Sequence, residues 1–193
     1  MVPTKWSITA VDDTIGKSIS LKEIPDLKEH EYAALFGGYM GNYYIALIFP
    51  GPWSFELFET YVGGGLSNSN LFESAQDYEG AIGRKDYAQN TVGGYYASRL
   101  AILEHFQRTK TKGRVLLLRF ITDEYIAPLG VWVVREATRK CLNSKPIYFG
   151  SKELLLKYGE VFISRKYNLN TKVIYNKSWL LKDMKIQPRL SEF

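Results

Sequence analysis

The chain has 193 residues, of which 46% are hydrophobic, 15% aromatic and 23% charged, the balance of a folded rather than a disordered chain. Its one cysteine, Cys141, excludes an internal disulfide and any cysteine-rich zinc site built from this sequence alone. The net charge of +5 is uneven: residues 138–193 hold 12 Lys or Arg against 4 Asp or Glu, and residues 1–137 hold 13 against 16.

A cationic C-terminal third on a mildly acidic body points to a polyanionic partner, usually DNA or RNA, or to lysines that only solvate a surface. Met1 to Lys5 is followed by a patterned segment with no apolar signal region. The longest uninterrupted apolar stretch, residues 43–49, stops at Pro50 and is too short to cross a bilayer. The expectation is a soluble, reduced, cytoplasmic protein with no membrane partner.

In chain order, residues 6–11 alternate large and small side chains and are rich in β-formers, which predicts a strand ending at Asp12-Asp13. Residues 43–49 read as a buried strand closed by Pro50-Gly51-Pro52, and residues 55–61 as its pairing partner after that turn. Gly63-Gly64-Gly65 and the Ser/Asn run at 67–70 form a mid-domain loop. Gly93-Gly94 opens a helix from Tyr95 to about Arg108. Its inner face is Tyr96, Leu100, Leu103 and Gln107, and Glu104 and Arg108 form an i,i+4 pair outside. Residues 115–120 read as a central strand. A second helix covers residues 131–141, with Val131, Val134, Thr138 and Cys141 inside and Trp132, Arg135 and Arg139 on another face. This order predicts an α+β (or α/β) fold, a mixed central sheet with packed helices. The domain covers residues 1–181, and residues 182–193 form a flexible C-terminal tail.

Metal-assisted chemistry needs convergent carboxylates, and Asp12, Asp13 and Glu136 are the candidates for a Mg²⁺ or Mn²⁺ site. Adjacent acids at a strand end also cap the next element, which is the competing reading. The only histidines are His30 and His105, the latter placed on a solvated helix turn, and Cys141 lies on an inner stripe as a small core residue. Gly16-Lys17-Ser18 resembles the end of a P-loop, but Val11 occupies the place of the first glycine, so the match is rejected. Gly94 at a helix N-terminus, with Tyr95 and Arg99, has the makings of a phosphate-and-base site, and Trp132 with Arg135 makes a similar pair. The competing reading is that the glycines let the helix approach the sheet. A small-molecule site would instead show as a pocket lined by Tyr95, Trp132 and Trp6.

The last seven residues carry the sharpest signal. Gln187, Leu190 and Phe193 have the spacing of the peptide box that docks on the DNA sliding clamp (PCNA). There a glutamine seats in a polar pocket, and a 3₁₀ turn aims an aliphatic and an aromatic side chain into an apolar one. The full box has two consecutive aromatics. Ending on one lowers the apolar contact by about 1–3 kcal/mol.

Together the runs VPTKWSITAVDD (2–13), PGPWSFE (50–56), GGYYASRLA (93–101) and APLGVWVVRE (127–136) resemble the archaeal Nre family, proteins linked to DNA repair and carrying a clamp-binding tail. The resemblance implies recruitment to the clamp by Gln187, Leu190 and Phe193, with DNA as the second partner. Family members are usually about twice as long, often with a cysteine-rich zinc motif at the start. The resemblance therefore implies that this chain corresponds to the C-terminal half, the other half being absent or supplied by another polypeptide. The leading expectation is a recruited DNA-repair protein. The alternative is a Mg²⁺- or Mn²⁺-dependent nuclease or other enzyme acting on nucleic acid.

Overall fold

A computed structural model describes residues 4–62, 74–126 and 130–186. The chain runs α1 (Thr4–Lys22), β1 (Lys28–Glu29), β2 (Tyr32–Tyr39), β3 (Asn42–Phe49), β4 (Ser54–Tyr61), β5 (Ser74–Glu79) and α2 (Val92–Thr109). It continues with β6 (Thr111–Lys112), β7 (Arg114–Ile121), α3 (Val131–Leu142), β8 (Ile147–Phe149), α4 (Lys152–Tyr167), α5 (Lys172–Lys177) and α6 (Trp179–Ile186).

The near-continuous apolar runs of β3 and β7 are explained by burial on both faces of a six-stranded sheet, ordered β5-β4-β7-β3-β2-β8. Side chains alternate across it. Tyr44, Ala46, Ile48, Phe55, Leu57, Val115 and Leu117 pack against α1, α2 and α3. Ile45, Leu47, Phe49, Phe58, Leu116, Leu118 and Phe120 pack against α4, α5 and α6. Two helical layers thus enclose one mixed sheet, and the expected α+β class with a mixed central sheet is what the structure shows.

Residues 6–11 are not a strand; they lie within α1. The helix buries Thr9, Asp12, Gly16 and Ile19, a 3-4-3 spacing, with Ser20 beside them, and leaves Ile8, Val11 and Ile15 exposed. The modest helix propensity of its β-branched residues gives way to this packing.

Residues 55–61 are a strand, but not the partner of β3. β4 pairs in parallel with β7, and β7 pairs antiparallel with β3, so β7 is inserted between them. A strand apolar on both faces gains most from two neighbours. The β4–β7 connection can be parallel because α2 supplies the crossover.

His105 is buried rather than solvated. Glu104 pairs with Arg139 of α3, not with Arg108, which instead contacts His105. Cys141 is a core residue as expected; burial pushes its thiol up to about 12. The helix α6 carries the described chain to Ile186, past the boundary drawn at 181. No helix among the described residues is long and apolar enough to cross a membrane.

Candidate functional site

The first charged constellation is built where α1 lies on α2 and α3. Successive helix residues point about 100° apart, so Asp12 and Asp13 address different neighbours. Asp12 is buried and meets Arg135 of α3 at 3.2 Å; its second oxygen, Oδ2, is buried with no hydrogen-bond partner among the described residues. Burial holds its carboxyl above the usual range even with Arg135 beside it. Asp13 is partly exposed. It accepts from Lys17 at 2.7 Å and lies 3.4 Å from Arg99 Nη1.

Arg99, from α2, is 1% exposed. Its Nε donates to Glu79 Oε1 of β5 at 2.7 Å, and the same oxygen accepts from Trp53 Nε1 at 2.8 Å. Its Nη2 lies 3.4 Å from Ser20 Oγ. On the outer side, Arg139 is bidentate on Glu104 at 2.9 and 2.8 Å and also reaches Glu136 at 2.6 Å.

Asp12 is therefore brought to Arg135 of α3 and Asp13 to Arg99 of α2, two separate ion pairs on neighbouring faces of α1, the second continuing to Glu79 at the sheet edge. Glu136 rests on Arg139. Each of the three acids singled out for metal chemistry rests on a cation. Among the described residues, no group of three or more His, Cys, Asp or Glu could hold a metal ion.

Gly94 has a packing reason for being glycine: a Cβ there would stand 2.6 Å from Glu59 Oε1. Tyr95 is fully buried, its ring 5.0 Å from Phe55 with the Arg84 guanidinium 5.2 Å above it. Gly94, Tyr95 and Arg99 thus have internal partners. Of the side chains proposed to meet phosphate or base, Trp132, 47% exposed, and Arg135 have surface to offer. Gln187, Leu190 and Phe193 lie outside the described residues.

Two charged groups were not anticipated. At the C-terminal ends of the parallel strands, Glu59 of β4 is in register with Arg119 of β7. Arg119 donates to Glu59 at 2.6 Å and to Asn42 Oδ1 through Nε at 3.0 Å and Nη2 at 2.5 Å. Burial raises the Glu59 carboxyl, and the N-terminal turn of α2 covers the pair through Gly94. The end of parallel strands is where α/β sheets usually place their ligands. In the sequence each shows only as a second charged residue of its strand, Glu59 after Glu56 in β4 and Arg119 after Arg114 in β7.

The second group lies on edge strand β5. Asp77 accepts from the amides of Asn90 (3.1 Å) and Thr91 (2.7 Å) and from Arg84 (3.1 Å), tying the start of α2 to the sheet. Arg84 and Asn90 also donate to the β5 carbonyls of Tyr78 (3.0 Å) and Gln76 (2.8 Å), which covers the edge against strand addition. An open cleft of about 810 Å³ lies here, lined by Gln76, Asp77, Tyr78, Arg84, Asn90 and Trp179 among others.

Fold and charge pairing define an α+β protein whose first helical layer is knitted by buried ion pairs. Two family models match the chain: Archaeal Nre, N-terminal, over residues 1–68, and Archaeal Nre, C-terminal, over residues 79–193. The chain belongs to the archaeal Nre family. It carries residues of both models, where the sequence resemblance pointed to the C-terminal half.

Among similar curated proteins, the DNA repair protein NreA of Haloferax volcanii is 37% identical over 149 residues, 75% of this chain and 35% of that protein. NreA of Archaeoglobus fulgidus is 38% identical over 152 residues, 78% of this chain and 38% of its own length. The DNA repair protein NreB of the same organism is 35% identical over 188 residues, 94% of this chain and 46% of its own length. The chain thus matches between about a third and a half of the length of these relatives. No solved structure matches it significantly.

Proposed function

We propose that this protein acts in DNA repair, contacting DNA and recruited to it by the PCNA sliding clamp through Gln187, Leu190 and Phe193. Supporting the repair reading, the similar curated proteins are named for DNA repair. The observation that carries the clamp reading is the box itself, which begins at the residue after Ile186, where α6 ends.

The role of each residue follows from its chemistry. Gln187 hydrogen-bonds a polar rim, while Leu190 and Phe193 bury apolar surface in the clamp. Titration calorimetry with the purified clamp tests this, using the intact chain, Phe193→Ala and a chain ending at Ile186. The intact chain gives binding heat, Phe193→Ala lowers affinity about 10- to 100-fold, the effect of burying one phenyl ring, and truncation removes it. Undiminished heat from the truncated chain would discard the tail.

A further inference from the structure

The two helical layers differ in how their cations are partnered. On the α1–α3 side, Lys17, Arg99, Arg135 and Arg139 each rest on a carboxylate, while Lys22, Arg108 and Lys140 are in no ion pair among the described residues. From Lys152 to Ile186 there are eight Lys or Arg and three Asp or Glu. Glu160 pairs with Lys157, and Asp183 accepts from the Tyr78 hydroxyl at 2.5 Å, which leaves Glu153. Among the described residues, Lys157 is the one cation of these eight in an ion pair. Arg165, Lys166, Lys172, Lys177, Lys182 and Lys185 are all exposed.

An aromatic cleft opens on the same side. It has a volume of about 270 Å³ and is lined by Tyr158, Val161, Phe162, Arg165 and Lys166 of α4. Tyr158 and Phe162 stack at 5.9 Å with their planes 29° apart, and Phe36 of β2 meets Phe162 at 4.7 Å. The Lys166 ammonium lies 4.9 Å from the Phe36 ring centre. Tyr158 and Phe162 are only partly buried, so the rings reach the cleft.

Resting on the DNA-repair reading above, we infer that this face binds single-stranded DNA. One unstacked base enters the α4 cleft against Tyr158 and Phe162, and its phosphates lie on Arg165, Lys166 and the lysines of α5 and α6. Duplex DNA keeps its base faces stacked and offers the cleft nothing, whereas every unpaired base has a free π-face. The helix α4 packs over β2 and β3 and α6 over β4. Strands β2 and β4 are three strand spacings apart, about 14 Å, so a short strand spans the face.

The test is fluorescence anisotropy of the full chain with a labelled 15-nucleotide single strand and with the blunt duplex of the same sequence. The wild type prefers the single strand. Arg165→Glu with Lys166→Gln lowers that affinity at least about tenfold and reduces the slope of log affinity against log salt by about 1.4, two contacts on a single strand. Tyr158→Ala lowers affinity and leaves the salt slope unchanged, separating stacking from charge. Lys22→Glu on α1 changes neither, and circular dichroism confirms that each variant folds. Wild-type affinity in the Arg165/Lys166 double variant, or a preference for the duplex, overturns the inference and leaves DNA binding standing. A wild type that binds neither probe overturns the inference and the DNA contact together.

Discussion

Glu56 and Trp179 stand 123 positions apart in sequence and meet at 2.9 Å, where the strand carboxylate accepts the first backbone amide of α6. The same side chain accepts from the Leu180 amide at 3.2 Å and from Ser178 Oγ at 2.5 Å. A residue of β4 thereby does the work of a helix cap, aided by the positive end of the helix dipole. Burial nonetheless holds the Glu56 carboxyl above its usual range. This contact fixes the helix that leads into the proposed clamp box.

Replacing Glu56 by Ala takes the side-chain acceptor from the Trp179 and Leu180 amides and from the Ser178 hydroxyl, while the Gln76 amide keeps the Lys177 carbonyl at 3.3 Å. The expected cost is about 2–3 kcal/mol, measured by urea unfolding, with faster hydrogen exchange confined first to α6. Glu56→Gln keeps an acceptor and costs less. Unchanged exchange in α6 would show that another contact holds the helix.

Among the described residues Glu79 and Arg99 form the most enclosed ion pair, each side chain 1% exposed. Removing Arg99 strands Glu79, and removing Glu79 leaves Arg99 only the longer Asp13 contact at 3.4 Å, so Arg99→Met is expected to destabilise by about 3–5 kcal/mol and Glu79→Leu by somewhat less. The double variant should cost less than the two single costs added, since no unpaired charge remains. Thermal unfolding of all four proteins closes the cycle. Strict additivity would mean that the pair is not coupled.

What the sequence revealed depended on where its apolar residues point. Strands β3 and β7 were legible because both faces are buried and the runs are continuous. The helix α3 was legible because Val134, Thr138 and Cys141 recur at helical spacing on one buried face. The helix α1 was not, because its signal is inverted: Ile8, Val11 and Ile15 face outward, while Thr9, Asp12 and Ser20 are buried. Pairing of β4 with β7 is non-local, and no turn residue encodes it. Asp12, Asp13, Arg99 and Arg135 could be picked out as charged residues with potential chemistry. That arginines neutralise the acids emerges only from tertiary contact, and the strand partners Glu59 and Glu79 were missed for the same reason.

Gly94 separates a packing role from an anion-binding one. Its missing Cβ lets α2 lie over Glu59 and Arg119, and the nearest obstacle to a methyl group is a buried carboxylate oxygen at 2.6 Å. Gly94→Ala is expected to destabilise by about 1–3 kcal/mol as that helix is pushed outward. DNA affinity at a temperature where the variant stays folded should be unchanged. A variant of wild-type stability that loses DNA affinity would return Gly94 to the binding surface.

His105 gives the protein an acid-sensitive step. Burial, with Arg108 and His30 beside it, lowers its pKa from 6.5 to about 4. Between those values the unfolded chain binds a proton that the folded chain refuses, so stability rises with pH across the window and is complete above 6.5. Asp12, Glu56 and Glu59 act in the opposite sense. Burial raises them, so the folded chain protonates first and their contribution falls as pH climbs through the raised values. From pH 7 to pH 4.5 the histidine alone removes about 2–3 kcal/mol. His105→Gln, which cannot take up the proton, is expected to lose that much less stability than the wild type over the same interval, measured by urea unfolding at both pH values. An equal loss in the two proteins would place the acid-sensitive step elsewhere.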